Sequence, residues 1–145
     1  MKTLGAQWGA RVRGGEMIEL IGDVGAGKTT FTKGLGQGLE IDDDIQSPSF
    51  TISREYIARD GLELHHYDFY RLHDPGVMIY ELAESIANPR VITVIEWGET
   101  VRDVLPESRT SITIEYDIDE QSRQLTMNVP DKYRYLIEEN HDTHN

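Results

Sequence analysis

The sequence predicts an α/β domain with a mixed β-sheet flanked by helices and with antiparallel hairpins. Three observations support this fold class. The segment Glu16–Ile21 alternates polar and apolar residues and leads through a glycine-rich loop into a helically spaced stretch that begins at Lys28, which is typical of a strand followed by a helix. The segment Arg90–Glu96 is typical of a buried strand. Two pairs of extended segments, each joined by a polar turn, are typical of hairpins.

The remaining strands and the first helix are predicted from local signals. A weakly amphipathic helix covers Thr3–Val12. The extended segments Thr51–Ile57 and Leu62–Asp68 form the first hairpin, and the segments Thr110–Tyr116 and Gln124–Val129 form the second. The sheet is therefore expected to contain antiparallel pairs.

Two more helices are predicted after the first hairpin. One begins at Asp74-Pro75, because proline is favoured in the first turn of a helix. Its apolar stripe consists of Val77, Met78, Leu82 and Ile86. A short last helix is predicted from the apolar residues Tyr133, Leu136 and Ile137.

The helix that begins at Lys28 is rich in glycine. Its apolar residues recur at helical spacing, but Gly34, Gly36 and Gly38 lie among them. Each glycine in a helix interior costs up to about 1 kcal/mol relative to alanine. We therefore expect this helix to depend on packing against the rest of the domain.

Length and composition limit the classes of protein that fit. The chain has 145 residues and no cysteine. Its length fits one domain, which we predict over residues 1–137, followed by a polar, frayed tail over residues 138–145. The lack of cysteine excludes disulfide scaffolds, cysteine-based zinc sites and thiolate enzymes.

The charge and the apolar pattern bear on location and partners. The formal net charge is −12, and such an acidic body repels polyphosphate backbones, so autonomous nucleic-acid binding is not expected. No apolar run approaches the roughly 18 residues of a membrane span, and the first residues lack the apolar block of a secretory signal. We therefore expect a cytoplasmic protein without membrane contact. Residues 1–34 nevertheless carry a net charge of +2, which fits an anionic ligand there, and the alternative is chance clustering of charge in a short segment.

The loop after Glu16–Ile21 carries a phosphate-binding motif. Residues 22–29 fit the P-loop pattern Gly-x-x-x-x-Gly-Lys-Ser/Thr between a strand and a helix, which predicts a P-loop NTPase domain. Backbone N–H groups and the helix N-terminus are expected to surround the phosphates. Lys28 is expected to hold the β and γ oxygens, and Thr29 to offer its hydroxyl to Mg²⁺. The predicted nucleotide-binding residues here are Gly22, Asp23, Val24, Gly25, Ala26, Gly27, Lys28, Thr29 and Thr30.

Two acidic residues end predicted strands and are candidate catalytic residues. Glu96 follows the apolar run Val91–Ile95 at the carboxyl end of a strand, where ligands meet an open α/β sheet, and is expected to hold Mg²⁺ together with Thr29. The alternative for Glu96 is an ordinary strand-end acid in solvent. Asp68 is expected to order the attacking water or a metal-bound water, and its alternative is an aspartate that caps a turn.

The neighbouring histidines His65 and His66 are adjacent on a predicted strand. Side chains alternate along a strand, so the two rings are expected to point to opposite faces of the sheet. A metal shared by both is therefore not expected, and we interpret them as packing residues.

Four linked motifs resemble the TsaE family. They are Gly22–Phe31, Ser47–Thr51, His66–Leu72 and Ile95–Trp97, and their order and spacing match over nearly the whole chain. The resemblance implies an ATPase that supports formation of threonylcarbamoyladenosine in tRNA beside the anticodon by acting on the partners TsaD and TsaB. It does not imply modification of the base by this chain itself.

The resemblance also implies roles for individual residues. Val24 to Thr29 would bind phosphates, Thr29 and Glu96 would hold Mg²⁺, and Asp68 would support hydrolysis of ATP to ADP. Ser47-Pro48-Ser49 would act as a nucleotide-sensing loop, and Trp97 would shape the same site. The family usually has threonine at the position of Ser49, which keeps the hydroxyl but lacks the methyl group.

Three functional classes stay open. They are a partner-activated ATPase, a small-molecule P-loop kinase, and a nucleotide-dependent interaction module in which hydrolysis is incidental. A small GTPase is disfavoured because neither Asn-Lys-x-Asp nor Asp-x-x-Gly occurs in the sequence. A kinase usually adds an arginine-bearing lid, whereas the later arginines here are scattered singly.

Overall fold

The computed structural model describes residues 1–22, 27–46, 53–70, 74, 76–116 and 123–138. It contains the helices α1 (Lys2–Arg11), α2 (Lys28–Gly38) and α3 (Met78–Ala87) and the strands β1 (Met17–Ile21), β2 (Ser53–Ile57), β3 (Glu63–Asp68), β4 (Val91–Glu96), β5 (Thr110–Tyr116) and β6 (Arg123–Asn128). Short 3₁₀ helices cover Arg59–Gly61, Gly98–Val104 and Asp131–Leu136. The predicted α/β fold class is confirmed.

The six strands form one mixed sheet in the order β2-β3-β4-β1-β5-β6. Strands β3, β4, β1 and β5 are parallel, whereas the edge strands β2 and β6 pair antiparallel with β3 and β5. Both predicted hairpins are therefore confirmed. Strand β1 lies between β4 and β5, so the chain extends the sheet on both sides of its first strand. A sheet of this kind has a crevice for ligands at the carboxyl ends of the strands beside that switch point.

Apolar side chains pack on both faces of the sheet. Helices α1 and α2 contribute Trp8, Phe31 and Leu35 to a core that also contains β1 and β4 side chains. Helix α3 and the 3₁₀ helix Gly98–Val104 cover the other face, where Leu82 is fully buried. Every residue of β4 is buried, as the sequence predicts for this strand.

Helices α1 and α2 touch backbone to backbone. A Cβ atom added at any of four glycines would overlap a carbonyl oxygen of the facing helix. The overlaps are Gly5 with Phe31, Gly9 with Leu35, Gly34 with Lys2 and Gly38 with Ala6. The expected dependence of α2 on tertiary packing is thus explained, because its glycines permit the close approach that holds it.

The third helix begins later than predicted. It starts at Met78 and not at Asp74-Pro75, of which Pro75 lies outside the described residues. The Asp74 side chain accepts a hydrogen bond of 3.0 Å from the Gly76 N–H, and Gly76 has φ of 53°, so a turn occupies this stretch. Val77 is 78% exposed and does not belong to the buried stripe.

Two smaller differences concern short elements. The predicted last helix is the 3₁₀ helix Asp131–Leu136, and the 3₁₀ helix Gly98–Val104 was not predicted. Residues 51–52 of the first predicted hairpin strand and residues 139–145 of the predicted tail lie outside the described residues.

In the part of the chain that the structure describes, no helix has the length and apolar character needed to cross a lipid bilayer.

The close contact of α1 and α2 can be tested by adding one methyl group. Gly34→Ala improves the intrinsic helix propensity of α2 but drives a methyl group into the Lys2 carbonyl. We expect the free energy of unfolding to fall by about 1 to 3 kcal/mol, the usual cost of overpacking, as measured by urea denaturation. Gln37→Ala, at an exposed position of the same helix, is the control and should leave stability nearly unchanged. A Gly34→Ala variant as stable as the parent would show that the helices separate easily.

Candidate functional site

Three parallel strands bring the candidate residues to one edge of the sheet. Asp68 at the end of β3 is in register with Glu96 at the end of β4, and Glu96 is in register with Leu20 of β1. Gly22 follows β1 directly, and α2 begins at Lys28. Asp68, Glu96 and the residues Gly22 and Lys28 that flank the glycine-rich segment therefore lie at the same end of the sheet.

The Lys28 ammonium lies at the centre of this edge. Its side chain is 5% exposed, and its Nζ donates a hydrogen bond of 2.7 Å to the Gly22 carbonyl. The same Nζ lies 3.9 Å from Glu96 Oε1 and 4.1 Å from the centroid of the Trp97 ring. A buried ammonium requires such a carbonyl, carboxylate and ring face, because it has lost most of its hydration.

The start of α2 adds further positive potential. Gly27 precedes the first helical residue and has φ of 114°, a left-handed conformation that glycine adopts at no steric cost. The free N–H groups of the first turn and the helix dipole favour an anion at this point. Thr29 is partly buried and Thr30 is exposed in that turn.

Glu96 is a buried carboxylate, not a strand-end acid in solvent. It is 3% exposed, and its Oε2 lies 2.5 Å from Nε2 of His66. Its Oε1 lies 3.9 Å from the Lys28 Nζ. The two oxygens of the carboxylate therefore have different partners.

Asp68 both caps a turn and faces the site. Its Oδ1 accepts a hydrogen bond of 3.0 Å from the Tyr70 N–H. This contact is the turn cap expected as the alternative role of Asp68. Burial raises the pKa of Asp68 above its ordinary value, and the negative charge of Glu96 adds to this effect. The Tyr70 N–H, His66 and Lys28 oppose the rise.

The backbone of Trp97 adopts an uncommon conformation at the site. Its φ of 57° and ψ of 51° lie in the left-handed region, which bulky residues rarely occupy. This turn directs the Trp97 ring over the Lys28 ammonium. The centroids of the Tyr70 and Trp97 rings are 4.8 Å apart. The aromatic pair forms one wall beside the lysine.

Sequence reasoning missed the part played by His66. The sequence pattern favours a packing role for this histidine, but the ring contacts the Glu96 carboxylate. Strand alternation contained a signal, because His66 is two residues before Asp68 and so shares its face of the sheet. The partner was not visible, since the pairing of β3 with β4 is needed to bring Glu96 beside it.

His65 points to the opposite face, as predicted. Its Nδ1 lies 2.7 Å from Ser85 Oγ on α3, and its Nε2 lies 3.2 Å from Glu63 Oε1 and 3.4 Å from Glu55 Oε1. The two adjacent histidines therefore belong to different clusters.

The oxygen donors at the site suit a hard divalent cation. Asp68 and Glu96 are carboxylates at neighbouring register positions, and Thr29 is a hydroxyl near the lysine in sequence. Mg²⁺ prefers such oxygens and needs few protein ligands. A cation here would also reduce the repulsion between the two carboxylates that helps to raise the pKa of Asp68. The remaining predicted residues Asp23, Val24, Gly25, Ala26 and Ser49 lie outside the described residues.

Known proteins resemble this chain in sequence and structure. The family model described as threonylcarbamoyl adenosine biosynthesis protein TsaE matches residues 1–125. The tRNA threonylcarbamoyladenosine biosynthesis protein TsaE of Bacillus subtilis strain 168 is 36% identical over 140 residues, covering 95% of this chain and 85% of that protein. The protein of the same name from Nostoc sp. strain PCC 7120 is 40% identical over 125 residues, covering 84% of this chain and 75% of that protein.

A solved structure extends the similarity to three dimensions. The crystal structure of Bacillus subtilis YdiB matches with a TM-score of 0.73 at 34% sequence identity. The match covers 99% of this chain and 88% of that chain. Similarity therefore extends far beyond the four short motifs, and the resemblance that they indicated is confirmed.

The raised pKa of Asp68 predicts a pH-dependent stability difference. The folded protein binds this proton more tightly than the unfolded chain, whose pKa is near the ordinary 3.8, so ionised Asp68 lowers stability at neutral pH. Asp68→Asn removes the charge and keeps the oxygen that accepts the Tyr70 N–H. We expect the variant to be more stable than the parent at pH 7, and the difference to shrink as the pH falls toward 3.8, measured by urea denaturation at several pH values.

The control for this prediction is an exposed aspartate. Asp42 is exposed and is not part of a strand. Asp42→Asn should therefore change stability little at any of these pH values. If Asp68→Asn were less stable than the parent at pH 7, the charge of Asp68 would be stabilising and the expected pKa direction would be wrong.

Proposed function

The chain belongs to the TsaE family of threonylcarbamoyl adenosine biosynthesis proteins, and from this membership we propose that it is a P-loop ATPase that binds Mg-ATP and acts through the TsaB and TsaD proteins. Its role lies in the biosynthesis of threonylcarbamoyladenosine in tRNA. One observation carries the proposal of ATP chemistry. The buried Lys28 ammonium lies between the Gly22 carbonyl and the Glu96 carboxylate, at the start of a helix.

Phosphate binding is proposed for the loop and the first turn of α2. The ammonium of Lys28 and the positive end of α2 point to the same crevice, and phosphate oxygens are stronger partners for both than a neutral carbonyl. Gly27 provides the left-handed backbone that begins the helix. For Asp23, Val24, Gly25, Ala26, Thr30 and Ser49 the proposed contacts rest on the motifs.

Thr29 and Glu96 would hold Mg²⁺ in this proposal. The bound ion would neutralise charge on the β- and γ-phosphates and polarise the γ-phosphoryl group. The burial of Glu96 supports the assignment, because a buried carboxylate is stabilised by a cationic partner or by coordination to a metal. The partners of its two oxygens hold the side chain in one orientation.

Asp68 is proposed to orient the attacking water and to accept its proton. One oxygen accepts a hydrogen bond from the Tyr70 N–H, which restrains the carboxylate, and the second oxygen is proposed to face the water. The raised pKa makes the carboxylate a better base than an ordinary aspartate. These features support a role in the hydrolysis of ATP to ADP.

Action on tRNA is proposed to pass through protein partners. A net charge of −12 opposes direct contact with a phosphate backbone, whereas a partner protein can supply a basic surface for tRNA. We accordingly expect weak hydrolysis by the isolated chain and faster hydrolysis in the complex.

The proposed ATPase is tested by phosphate release. The purified protein is mixed with Mg-ATP, alone and with TsaB and TsaD of the same organism. We expect a low rate alone and a higher rate on assembly, with Lys28→Ala abolishing release in both cases because the phosphates lose their cation. Lys33→Ala, an exposed lysine of the same helix, is the matched control and should behave as the parent.

Other outcomes would favour the other classes. Phosphate transfer to a small acceptor would favour a kinase. Nucleotide binding together with full cellular function of a variant that cannot hydrolyse ATP would favour an interaction module. No nucleotide binding at all would contradict the proposal.

Asp68→Asn is expected to separate binding from turnover. The variant should bind ATP with nearly the parental affinity, since the lysine and the helix N-terminus are intact. Its turnover should fall by about 10²- to 10⁴-fold, the usual contribution of a general base. Equilibrium binding of a fluorescent ATP analogue and single-turnover hydrolysis measure the two quantities. Normal turnover by the variant would remove Asp68 from the mechanism.

A further inference from the structure

His66 is a fully buried polar ring beside the site. Its side chain is 0% exposed on β3, and its Nε2 lies 2.5 Å from Glu96 Oε2. Its other nitrogen, Nδ1, has no hydrogen-bond partner among the described residues. Nε2 is the nitrogen beside an acceptor, so Nε2 carries the proton and donates a hydrogen bond to the carboxylate.

The contact of His66 distinguishes the two oxygens of Glu96. Oε2 is engaged by the ring, whereas Oε1 lies toward the Lys28 ammonium at 3.9 Å. A carboxylate with a donor on one oxygen cannot rotate freely about its last bond. The ring therefore keeps Oε1 on the side of the crevice where Lys28 and the start of α2 lie.

We propose that His66 is a positioning residue that holds the Glu96 carboxylate with Oε1 toward the bound magnesium nucleotide. The inference rests on the proposed Mg-ATP function. His66 acts through Glu96 and touches neither phosphate nor metal. With a residue at this position that cannot donate to Oε2, the carboxylate is free to rotate about its last bond, and Oε1 is no longer held on the side of the crevice where the cation would bind.

The topology of the sheet supports this role. His66 and Asp68 share one face of β3, and β4 places Glu96 in register with Asp68. One strand thus supplies both the base and the support for the carboxylate on the next strand. An apolar residue would fill the same space in the core, but it would leave a carboxylate oxygen buried without a donor.

The test measures the dependence of nucleotide affinity on Mg²⁺. The dissociation constant of a fluorescent ADP analogue is determined with EDTA and over a Mg²⁺ series, for the full chain and for two variants. His66→Gln can place an amide N–H near the position of Nε2, whereas His66→Asn is too short to do so. We expect His66→Asn to weaken the apparent affinity for Mg²⁺ by about 10- to 100-fold, as loss of a supporting hydrogen bond to a metal ligand does elsewhere. His66→Gln should restore most of it.

A matched control and a double variant complete the test. His65→Gln changes the adjacent histidine on the opposite face and should leave the Mg²⁺ dependence as in the parent. In a Glu96→Gln background, His66→Asn should have no further effect on it. If His66→Asn shows the parental Mg²⁺ dependence, or if its effect persists without the Glu96 carboxylate, the inference is wrong. A parent protein that binds no nucleotide would instead contradict the proposed function.

The parent protein offers a measurement that needs no variant. Long-range ¹H–¹⁵N correlation spectra of the imidazole distinguish a proton on Nε2 from a proton on Nδ1. We expect Nε2 of His66 to be protonated. A ring protonated on Nδ1 alone could not donate to Glu96, and this result would overturn the inference even if every substitution at His66 prevented folding.

Discussion

The parallel alignment of β3, β4 and β1 is the constraint on which the site depends. The three strands end together, so the last residues of β3 and β4 lie beside the loop that leaves β1. A slip of one residue between β3 and β4 would turn one set of side chains to the other face. It would place His65 where His66 now lies and separate Asp68 from Glu96. The backbone hydrogen bonds between these strands therefore determine which side chains meet at the site, as well as the shape of the sheet.

Helix α2 is held in place by contacts remote from the site. Its glycines let α1 approach so closely that the two backbones touch, and the fully buried Trp8 packs edge-on against Phe31, with ring centroids 5.7 Å apart. These contacts orient the axis of α2 and therefore the direction of its first turn. Lys28 is the first residue of that helix, so the packing of α1 determines where the ammonium enters the crevice.

Local pattern was sufficient to predict the three α-helices and six strands that the structure describes and the residues at strand ends, but not the 3₁₀ helix Gly98–Val104. The glycine-rich loop between a strand and a helix identified Lys28, and the apolar run before Glu96 identified the buried strand. Local pattern could not predict that His66 donates to Glu96, because this pair is 30 residues apart and meets only through the strand register. It also misplaced the start of α3. The hydrogen bond that the Gly76 N–H donates to the Asp74 side chain competes with helix formation there.

The contact between α1 and α2 also restricts how the sequence can change. In an ordinary core, a larger side chain at one position can be accommodated by a smaller one opposite. Gly34 and Gly38 face carbonyl oxygens of Lys2 and Ala6, and no substitution shortens a backbone. A second mutation at the facing position therefore cannot relieve the overlap between a new side chain and the facing backbone. A change at either glycine therefore calls for general stabilisation elsewhere in the domain, and not for a matching change in α1.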